Sequence, residues 1–211
     1  MDPAQKIRSV LRGLLQRHGT ETVKRWLWDG EYWRGKWNCL DTMPNDYVYP
    51  HVERHAHGGS ILDLGCGPGT VGSELQNNTY RSYTGVDISN LAIEKARSKA
   101  LAVRRYDKNK YIQADIATYV PDQQYNVILF GDSIGYFAQQ RILQVLQRYS
   151  NYLSPNGVFI VRNWLLRKRQ RMVLRNIEDN FEVVEKQLYH ESQLFVIAFR
   201  PLTQRRFSSK S

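Results

Sequence analysis

The sequence has few cysteines and no long apolar segment, and these two shortages exclude several classes of protein. Cys39 and Cys66 are too few for a disulfide-stabilised scaffold among 211 residues, and they favour a reducing cytoplasm. No run of about 18 apolar residues is present, so we expect no transmembrane helix. The polar N-terminal segment lacks the apolar core of a secretory signal. A cytoplasmic protein is therefore expected.

Acidic residues are also scarce relative to basic ones. The 30 Lys and Arg outnumber the 20 Asp and Glu, which gives a formal net charge of +10. Such a surface attracts nucleic acid, acidic lipids or phosphorylated metabolites, although it also fits a basic surface with no such partner. Charge is concentrated in one segment, at Arg167, Lys168, Arg169, Arg171 and Arg175. This segment either guides an anionic acceptor or forms a solvated helix face.

The chain divides into three parts that differ in composition and in the spacing of apolar residues. Residues 1–58 combine helical apolar spacing with an aromatic stretch that holds four of the five tryptophans. Over residues 59–201, apolar strands alternate with helices, which predicts an α/β fold with a Rossmann-like, doubly wound, mostly parallel sheet. The last two strands lie close enough in sequence to pair as an antiparallel hairpin. Residues 202–211 are expected to form a flexible basic tail.

A glycine-rich turn, DLGCGPG over residues 63–69, directly follows the first strand of the α/β region and precedes a helix. Glycine permits positive φ and lets the backbone approach a ligand closely. In open α/β sheets, ligands bind beyond the carboxyl ends of the strands, where this turn is expected to lie. The turn therefore predicts a nucleotide site.

Two classes of nucleotide are compatible with this turn. Residues 67–72 match the G-x-G-x-x-G pattern of dinucleotide-binding proteins, and Asp87 follows Gly67 by 20 residues. Asp63, however, would place a carboxylate beside the pyrophosphate, and two like charges about 4 Å apart cost roughly 1–4 kcal/mol. A ligand that carries an ammonium and a sulfonium group, such as S-adenosylmethionine, would instead be attracted by that carboxylate.

Two further carboxylates end later strands. Asp87 closes the second strand, where it can accept hydrogen bonds from both ribose hydroxyls. Asp115 follows the third strand, where it can accept from an adenine amino group. A single Asp at a strand end is more often a helix N-cap or a turn residue. Three in order, with the glycine turn at the first, favour an adenosine site.

The motifs DLGCGPG, GVDIS and QADI resemble those of class I S-adenosylmethionine-dependent methyltransferases, over roughly residues 58–162. The resemblance implies that S-adenosylmethionine is the cofactor, with the first acidic residue and the glycines at the methionine part, the second acidic residue at the ribose and the third at the adenine. The implied cofactor site consists of Asp63, Gly65, Gly67, Gly69, Asp87, Ile88, Asp115 and Ile116. The aromatic N-terminal region resembles the helical cap of family members that act on small molecules.

The end of the fourth strand, residues 131–136, is expected to line the reaction centre. We assign Gly131 to the cofactor site, and we regard Asp132 and Tyr136 as candidates for holding or deprotonating the acceptor. A structural or cofactor-contacting role for these two side chains is the alternative. The D/N-P-P-F/Y tetrapeptide of enzymes that methylate exocyclic amino groups of bases is absent.

Aromatic residues near Gly30 and Gly35 suggest a movable lid. Tyr32, Trp33 and Trp37 could close over the donor and the acceptor, since aromatic faces attract a sulfonium, or they could pack the N-terminal helices onto the sheet.

Three histidines have a spacing that resembles a metal site. His51, His55 and His57 lack a Cys or a well-placed carboxylate that would complete it, so we expect surface histidines and no metal.

Three functions remain open from the sequence. The first is methylation of nitrogen or oxygen on a small-molecule acceptor, which the cap-like N-terminal region favours. The second is RNA or tRNA methylation, favoured by the net charge, and the third is non-enzymatic nucleotide binding. A closed aromatic pocket would favour a small acceptor, whereas an open basic groove would favour RNA. The sequence does not indicate an oligomeric state.

Overall fold

A computed structural model describes residues 3–41, 43–166 and 168–202, and this part of the chain has seven α-helices and seven β-strands. The helices are α1 (Pro3–His18), α2 (Glu21–Trp33), α3 (Tyr49–Ala56), α4 (Thr70–Glu74), α5 (Asn90–Ala102), α6 (Gln139–Ser150) and α7 (Lys168–Asn180). The strands are β1 (Ser60–Leu64), β2 (Ser82–Asp87), β3 (Asn109–Gln113), β4 (Tyr125–Gly131), β5 (Leu153–Trp164), β6 (Phe181–Tyr189) and β7 (Leu194–Pro201). Single 3₁₀ turns cover Asn38–Leu40 and Ile134–Tyr136.

The strands form one sheet in the order β3-β2-β1-β4-β5-β7-β6. Strands β1 to β5 pair in parallel, whereas β7 pairs antiparallel with both β5 and β6. This arrangement confirms the predicted α/β fold with its C-terminal antiparallel hairpin. The strand order reverses between β1 and β4, and a cleft for a ligand opens at such a switch point in doubly wound sheets.

The central strands are apolar on both faces because helices cover both faces of the sheet. Leu62 of β1 and Ile128 of β4 are fully buried in a cluster that includes residues of α6 and α7. Their sequence neighbours Ile61 and Val127 point to the other face, into a cluster formed with α3 and α5. This two-sided burial explains the continuous apolar runs that predicted the strands.

Helix α3 packs on the sheet, although the predicted N-terminal cap, residues 1–58, includes it. Val52 and Ala56 are fully buried in the cluster that contains Ile61 and Val127. Pro50 occupies the first turn of the helix, where the missing N–H costs no helical hydrogen bond. Helix α3 therefore covers part of one face of the sheet.

His51 and His55 of α3 are largely buried, so the expectation of surface histidines is wrong for these two. His57, which follows the helix, is exposed. His51 Nδ1 lies 3.0 Å from Oε1 of Glu185 on β6, and His55 Nε2 lies 2.9 Å from its other oxygen. The Tyr189 hydroxyl contacts His51 Nε2 at 3.0 Å. These contacts attach α3 to the edge strand. Among the described residues, no group of three His, Cys, Asp or Glu side chains is arranged to hold a metal ion.

The turn between β1 and α4 depends on glycine at three positions. Gly65, Gly67 and Gly69 have φ values of 85°, 53° and 73°. A Cβ on Gly69 would lie 2.7 Å from the Cβ of Ala96 on α5. The turn therefore packs tightly against α5, and this packing explains why residue 69 is a glycine.

Parts of two sequence predictions lie outside the described residues. These are Arg167 of the basic segment and residues 203–211 of the predicted tail. None of the helices that the structure describes has the length and apolar character needed to cross a bilayer.

Replacement of Gly69 by Ala is expected to lower the free energy of unfolding by about 2–4 kcal/mol, measured by urea denaturation. The new methyl group overlaps Ala96, and the residue must also hold a positive φ. Gly58→Ala is the matched control, because Gly58 has φ 70° with nothing within 4 Å of an added Cβ. We expect about 1 kcal/mol for the control, from backbone strain alone. Equal losses in the two variants would contradict the packing role of Gly69.

Candidate active site

A cavity of about 220 Å³ lies at the carboxyl ends of the central strands and is covered by residues from the N-terminal region. Its lining brings together most of the residues that the sequence predicted: Tyr32, Trp37, Asp63, Gly65, Gly67, Asp87, Ile88, Asp115, Ile116, Gly131, Asp132 and Tyr136. The described lining does not include Gly69 or Trp33. Trp33 is 81% exposed, so it faces solvent.

Asp63 presents a buried carboxylate to this cavity. Its Oδ2 accepts a hydrogen bond of 2.5 Å from the Tyr83 hydroxyl, while Oδ1 is buried and has no hydrogen-bond partner among the described residues. Burial raises the pKa of Asp63 from 3.8 to about 7, against the opposing effect of the Tyr83 hydrogen bond. Since this pKa exceeds that of the unfolded chain, the contribution of Asp63 to stability is complete below pH 4 and is lost as the pH rises through 7. A cation beside Oδ1 would reverse that loss.

Asp87 holds the glycine turn in place. Its Oδ2 accepts from the backbone N–H of Gly67 at 3.0 Å, and its Oδ1 accepts from the N–H of Ser89 at 2.9 Å. Burial raises the pKa of Asp87 to about 6, although the backbone hydrogen bonds oppose this shift. Each carboxylate oxygen can accept more than one hydrogen bond, so both retain the capacity to accept from ligand hydroxyls.

Asp115 makes an ion pair that the sequence did not predict. Lys24 of α2 places its Nζ 2.8 Å from Oδ2 of Asp115, and both side chains are largely buried at the cavity wall. The Oδ1 atom of Asp115 accepts from the N–H of Ala117 at 2.8 Å. No local pattern distinguishes Lys24 from the other lysines of the chain, because its partner is 91 residues away in the sequence.

Arg162 joins two carboxylates beside the cavity. It lies on β5 and is 4% exposed, with its guanidinium bonded to Asp46 Oδ2 at 2.9 Å and to Asp132. Burial raises the pKa of Asp132 to about 6, and the charge of Arg162 opposes that effect. The sequence reasoning missed Arg162 and Asp46, although an arginine within an apolar strand is a signal, since a buried charge requires partners.

Aromatic side chains form one wall of the cavity. Trp28 packs against Tyr136 edge to face, with ring centroids 4.7 Å apart, and against Trp37 at 5.9 Å. Trp37 Nε1 donates a 2.8 Å hydrogen bond to Glu31, which fixes the indole. Burial raises the pKa of Tyr136 well above that of a free phenol, so the hydroxyl keeps its proton at neutral pH. Trp28 was not predicted, although it lies in the aromatic stretch.

The glycine turn has no room for a side chain at Gly67. An added Cβ on Gly67 would lie 3.0 Å from the hydroxyl of Tyr32, which is buried in the last turn of α2. Together with the unpartnered Asp63 oxygen and the acceptors of Asp87, this cradle matches an adenosine that carries a cationic amino acid. These residues therefore fit S-adenosylmethionine.

Comparisons with known proteins agree with this geometry. Among curated proteins, the chain is 28% identical over 114 residues to a carboxy-S-adenosyl-L-methionine synthase from Desulfotalea psychrophila, covering 52% of this chain and 46% of that protein. It is 28% identical over 142 residues to a ubiquinone biosynthesis O-methyltransferase from Rickettsia akari, covering 64% and 53%. The chain thus spans about half the length of these curated relatives.

Solved structures show the same fold. The CcbJ methyltransferase from Streptomyces caelestis superposes with a TM-score of 0.63 at 17% identity, covering 78% of this chain and 95% of that one. The magnesium protoporphyrin IX methyltransferase from Synechocystis, solved with bound S-adenosylmethionine, gives 0.63 at 15% identity, covering 85% and 96%.

A family model described as "Methyltransferase domain" matches residues 55–208, well over half of the chain. S-adenosylmethionine, the cofactor that the sequence predicted, is the methyl donor of this family. The chain belongs to the methyltransferase-domain family, which confirms its resemblance to the class I S-adenosylmethionine-dependent methyltransferases.

Proposed function

We propose that this protein transfers a methyl group from S-adenosylmethionine to nitrogen or oxygen of a small-molecule acceptor, in the cytoplasm. The observation that carries the proposal is the buried Oδ1 of Asp63, an acceptor without a partner among the described residues, in the lining of an aromatic-walled cavity. A buried carboxylate oxygen needs a donor or a cation. The ammonium group of S-adenosylmethionine supplies both.

The donor site is built from groups that bind without reacting. We assign the ammonium to Asp63 and the ribose hydroxyls to Asp87. Ile88 and Ile116 provide apolar surface for the adenine, beside Asp115. We also assign Gly65, Gly67 and Gly131 to the donor site. Gly131 has nothing within 4 Å of an added Cβ, whereas a Cβ on Gly65 would lie 2.5 Å from that of Ser133, so packing also requires this glycine. Gly69 acts through its packing against α5.

The sulfonium of S-adenosylmethionine supplies an already activated methyl group, so the protein must mainly align the acceptor in line with it. Tyr136 keeps its proton and can therefore donate a hydrogen bond to the acceptor. Asp132 is ionised at neutral pH, and its contact with Arg162 directs one of its oxygens. We propose that Asp132 accepts the proton that the acceptor loses, because its pKa of about 6 suits a base working near neutrality.

A small acceptor is favoured over RNA by the character of the cavity wall. Trp28 contacts both Trp37 and Tyr136 in that wall, and such an aromatic surface suits a small acceptor. Two arginines of the basic segment bond to backbone carbonyls, Arg169 to Phe137 and Arg171 to Leu165. Through these contacts the two arginines stabilise the loops before α6 and α7. They are therefore less available to bind RNA, which weakens the argument for an open basic groove.

S-adenosylmethionine binding is expected to weaken as the pH falls below 7 and to release a proton there. The protonated Asp63 must lose its proton to pair with the ammonium group, so affinity should fall up to about tenfold per pH unit below its pKa of about 7. Calorimetry between pH 6.5 and 8, in buffers of different ionisation enthalpy, measures both quantities.

Asp63→Asn is the control for this linkage, because the amide does not titrate. The amino group of the donor titrates identically with both proteins, so the difference in proton release isolates Asp63. Equal proton release by the two proteins would show that Asp63 does not meet the ammonium group.

Asp87→Ala is expected to weaken S-adenosylmethionine binding about 10- to 100-fold, since hydrogen bonds to a charged acceptor contribute about 1.5–3 kcal/mol. Titration calorimetry gives the affinity, and circular dichroism at the same temperature checks the fold. Asp122→Ala is the matched control, because Asp122 is a solvent-exposed aspartate that lies outside the cavity lining. Unchanged affinity in a folded Asp87→Ala protein would remove the ribose assignment.

The transfer reaction is tested by measuring release of S-adenosylhomocysteine with panels of small amines, small hydroxyl compounds and tRNA. We expect release with a small acceptor, and a KM for that acceptor about tenfold higher in Trp28→Ala, which opens the aromatic wall. Trp33→Ala, a matched change at an 81% exposed tryptophan, should leave the KM unchanged. Release with tRNA alone, or none from a protein that binds the donor, would refute the proposal.

A further inference from the structure

Helix α1 is oriented with its polar side toward the protein and its apolar side toward solvent. Arg12 and Gln16 face inward, where both side chains contact Oε1 of the buried Glu31, at 2.5 Å and 3.2 Å. The apolar residues of the helix lie at 39–67% exposure and are Ile7, Val10, Leu11, Leu14 and Leu15. An amphipathic helix of a water-soluble domain normally buries its apolar stripe, so this orientation indicates a partner for the outer face.

The exposed apolar residues form one continuous stripe. At 100° per residue they occupy about 140° of the helix circumference, with spacings of three and four. The inward contacts of Arg12 and Gln16 fix this rotation, because turning the stripe inward would separate Glu31 from both partners. We call these five residues the α1 stripe.

The charge of α1 identifies the chemistry of the partner. Within Pro3–His18 the sequence contains Lys6, Arg8, Arg12 and Arg17 and no acidic residue, and its last turn ends in Arg17 and His18. A helix with an apolar stripe whose charged residues are all basic is typical of segments that lie in the interface of anionic membranes. A protein partner would require an acidic apolar groove, whereas an anionic bilayer offers both properties over an unlimited area.

Two tryptophans of the neighbouring helix support a lipid partner. Trp26 and Trp33 of α2 are 72% and 81% exposed, and they lie one heptad apart on the same side of that helix. Tryptophan favours the boundary between headgroups and acyl chains, where one part of the indole is apolar and its N–H is hydrated.

We propose that the α1 stripe docks this protein onto the surface of a bilayer that contains anionic lipids. The helix lies in the plane of the interface with the stripe among the upper acyl carbons, and the positive charge of the helix attracts it to the anionic headgroups. This docking does not depend on the proposed methyl transfer. It would place the cavity beside the bilayer, because Gln16 and Arg17 of α1 contribute to the cavity lining.

Cosedimentation of the full chain with sucrose-loaded vesicles tests this docking. We use vesicles of pure phosphatidylcholine, and vesicles with 30% phosphatidylglycerol, at 0.1 M and 0.5 M salt. We expect at least tenfold tighter binding to the anionic vesicles at 0.1 M salt, and weaker binding at 0.5 M, because salt screens the headgroup attraction.

A Leu11→Gln/Leu14→Gln double variant is expected to weaken vesicle binding at least tenfold without changing the thermal midpoint, since both side chains are exposed and glutamine preserves helix propensity. Leu101→Gln/Val120→Gln is the matched control, at two exposed apolar residues outside α1, and it should bind as the parent protein does. Equal binding of both double variants would overturn the proposal. Absence of binding to the anionic vesicles would overturn it as well, and self-association that the α1 double variant abolishes would then identify the stripe as a protein interface.

Discussion

A carboxylate kept inside the protein without a full set of partners is the constraint on which the site depends. Asp63 sits at the end of β1, where Tyr83 satisfies one oxygen and the cavity faces the other. The cost of burying that charge appears as a pKa of about 7. A cationic ligand removes the cost, whereas a pyrophosphate would increase it. In the function that we propose, this side chain favours a cationic nucleoside over a dinucleotide, at a turn whose glycine pattern permits either one.

The N-terminal region completes the site through ion pairs with the sheet. Lys24 of α2 meets Asp115 after β3, and Asp46 before α3 meets Arg162 on β5. Ser89, at the start of α5, donates a 2.6 Å hydrogen bond to Asp29 of α2. These contacts are buried or partly buried, so each charge requires its partner. They fix α2 over the strand ends and thereby set the position of the aromatic wall.

The two sides of the N-terminal region have different surroundings, the cavity on one side and solvent on the other. Toward the cavity, α2 presents Trp28 and Tyr32, whereas Trp26 and Trp33 of the same helix face solvent. Helix α1 repeats this division, with Gln16 and Arg17 toward the cavity and the apolar stripe outward. In the docking that we propose, the region that covers the cavity would also contact the membrane. The separation of polar and apolar sides on α1 is what makes that arrangement physically consistent.

The sequence by itself determined the sheet and the three acidic positions on it. Apolar strands that alternate with amphipathic helices predict a parallel sheet covered by helices on both faces. The carboxyl ends of parallel strands lie at one edge of the sheet, so Asp63, Asp87 and Asp115 meet there whatever the details of packing. Only the tertiary structure decided which distant side chains meet them. Lys24 has no local signature, and Arg162 stands out only as a charge within an apolar strand, because the partners of both are far away in the chain. Likewise, only the packing of α5 against the turn assigned Gly69 to a structural role. The spacing of apolar residues predicts which face of a helix or strand is buried. The orientation of the N-terminal helices depends instead on contacts between residues that are far apart in the sequence.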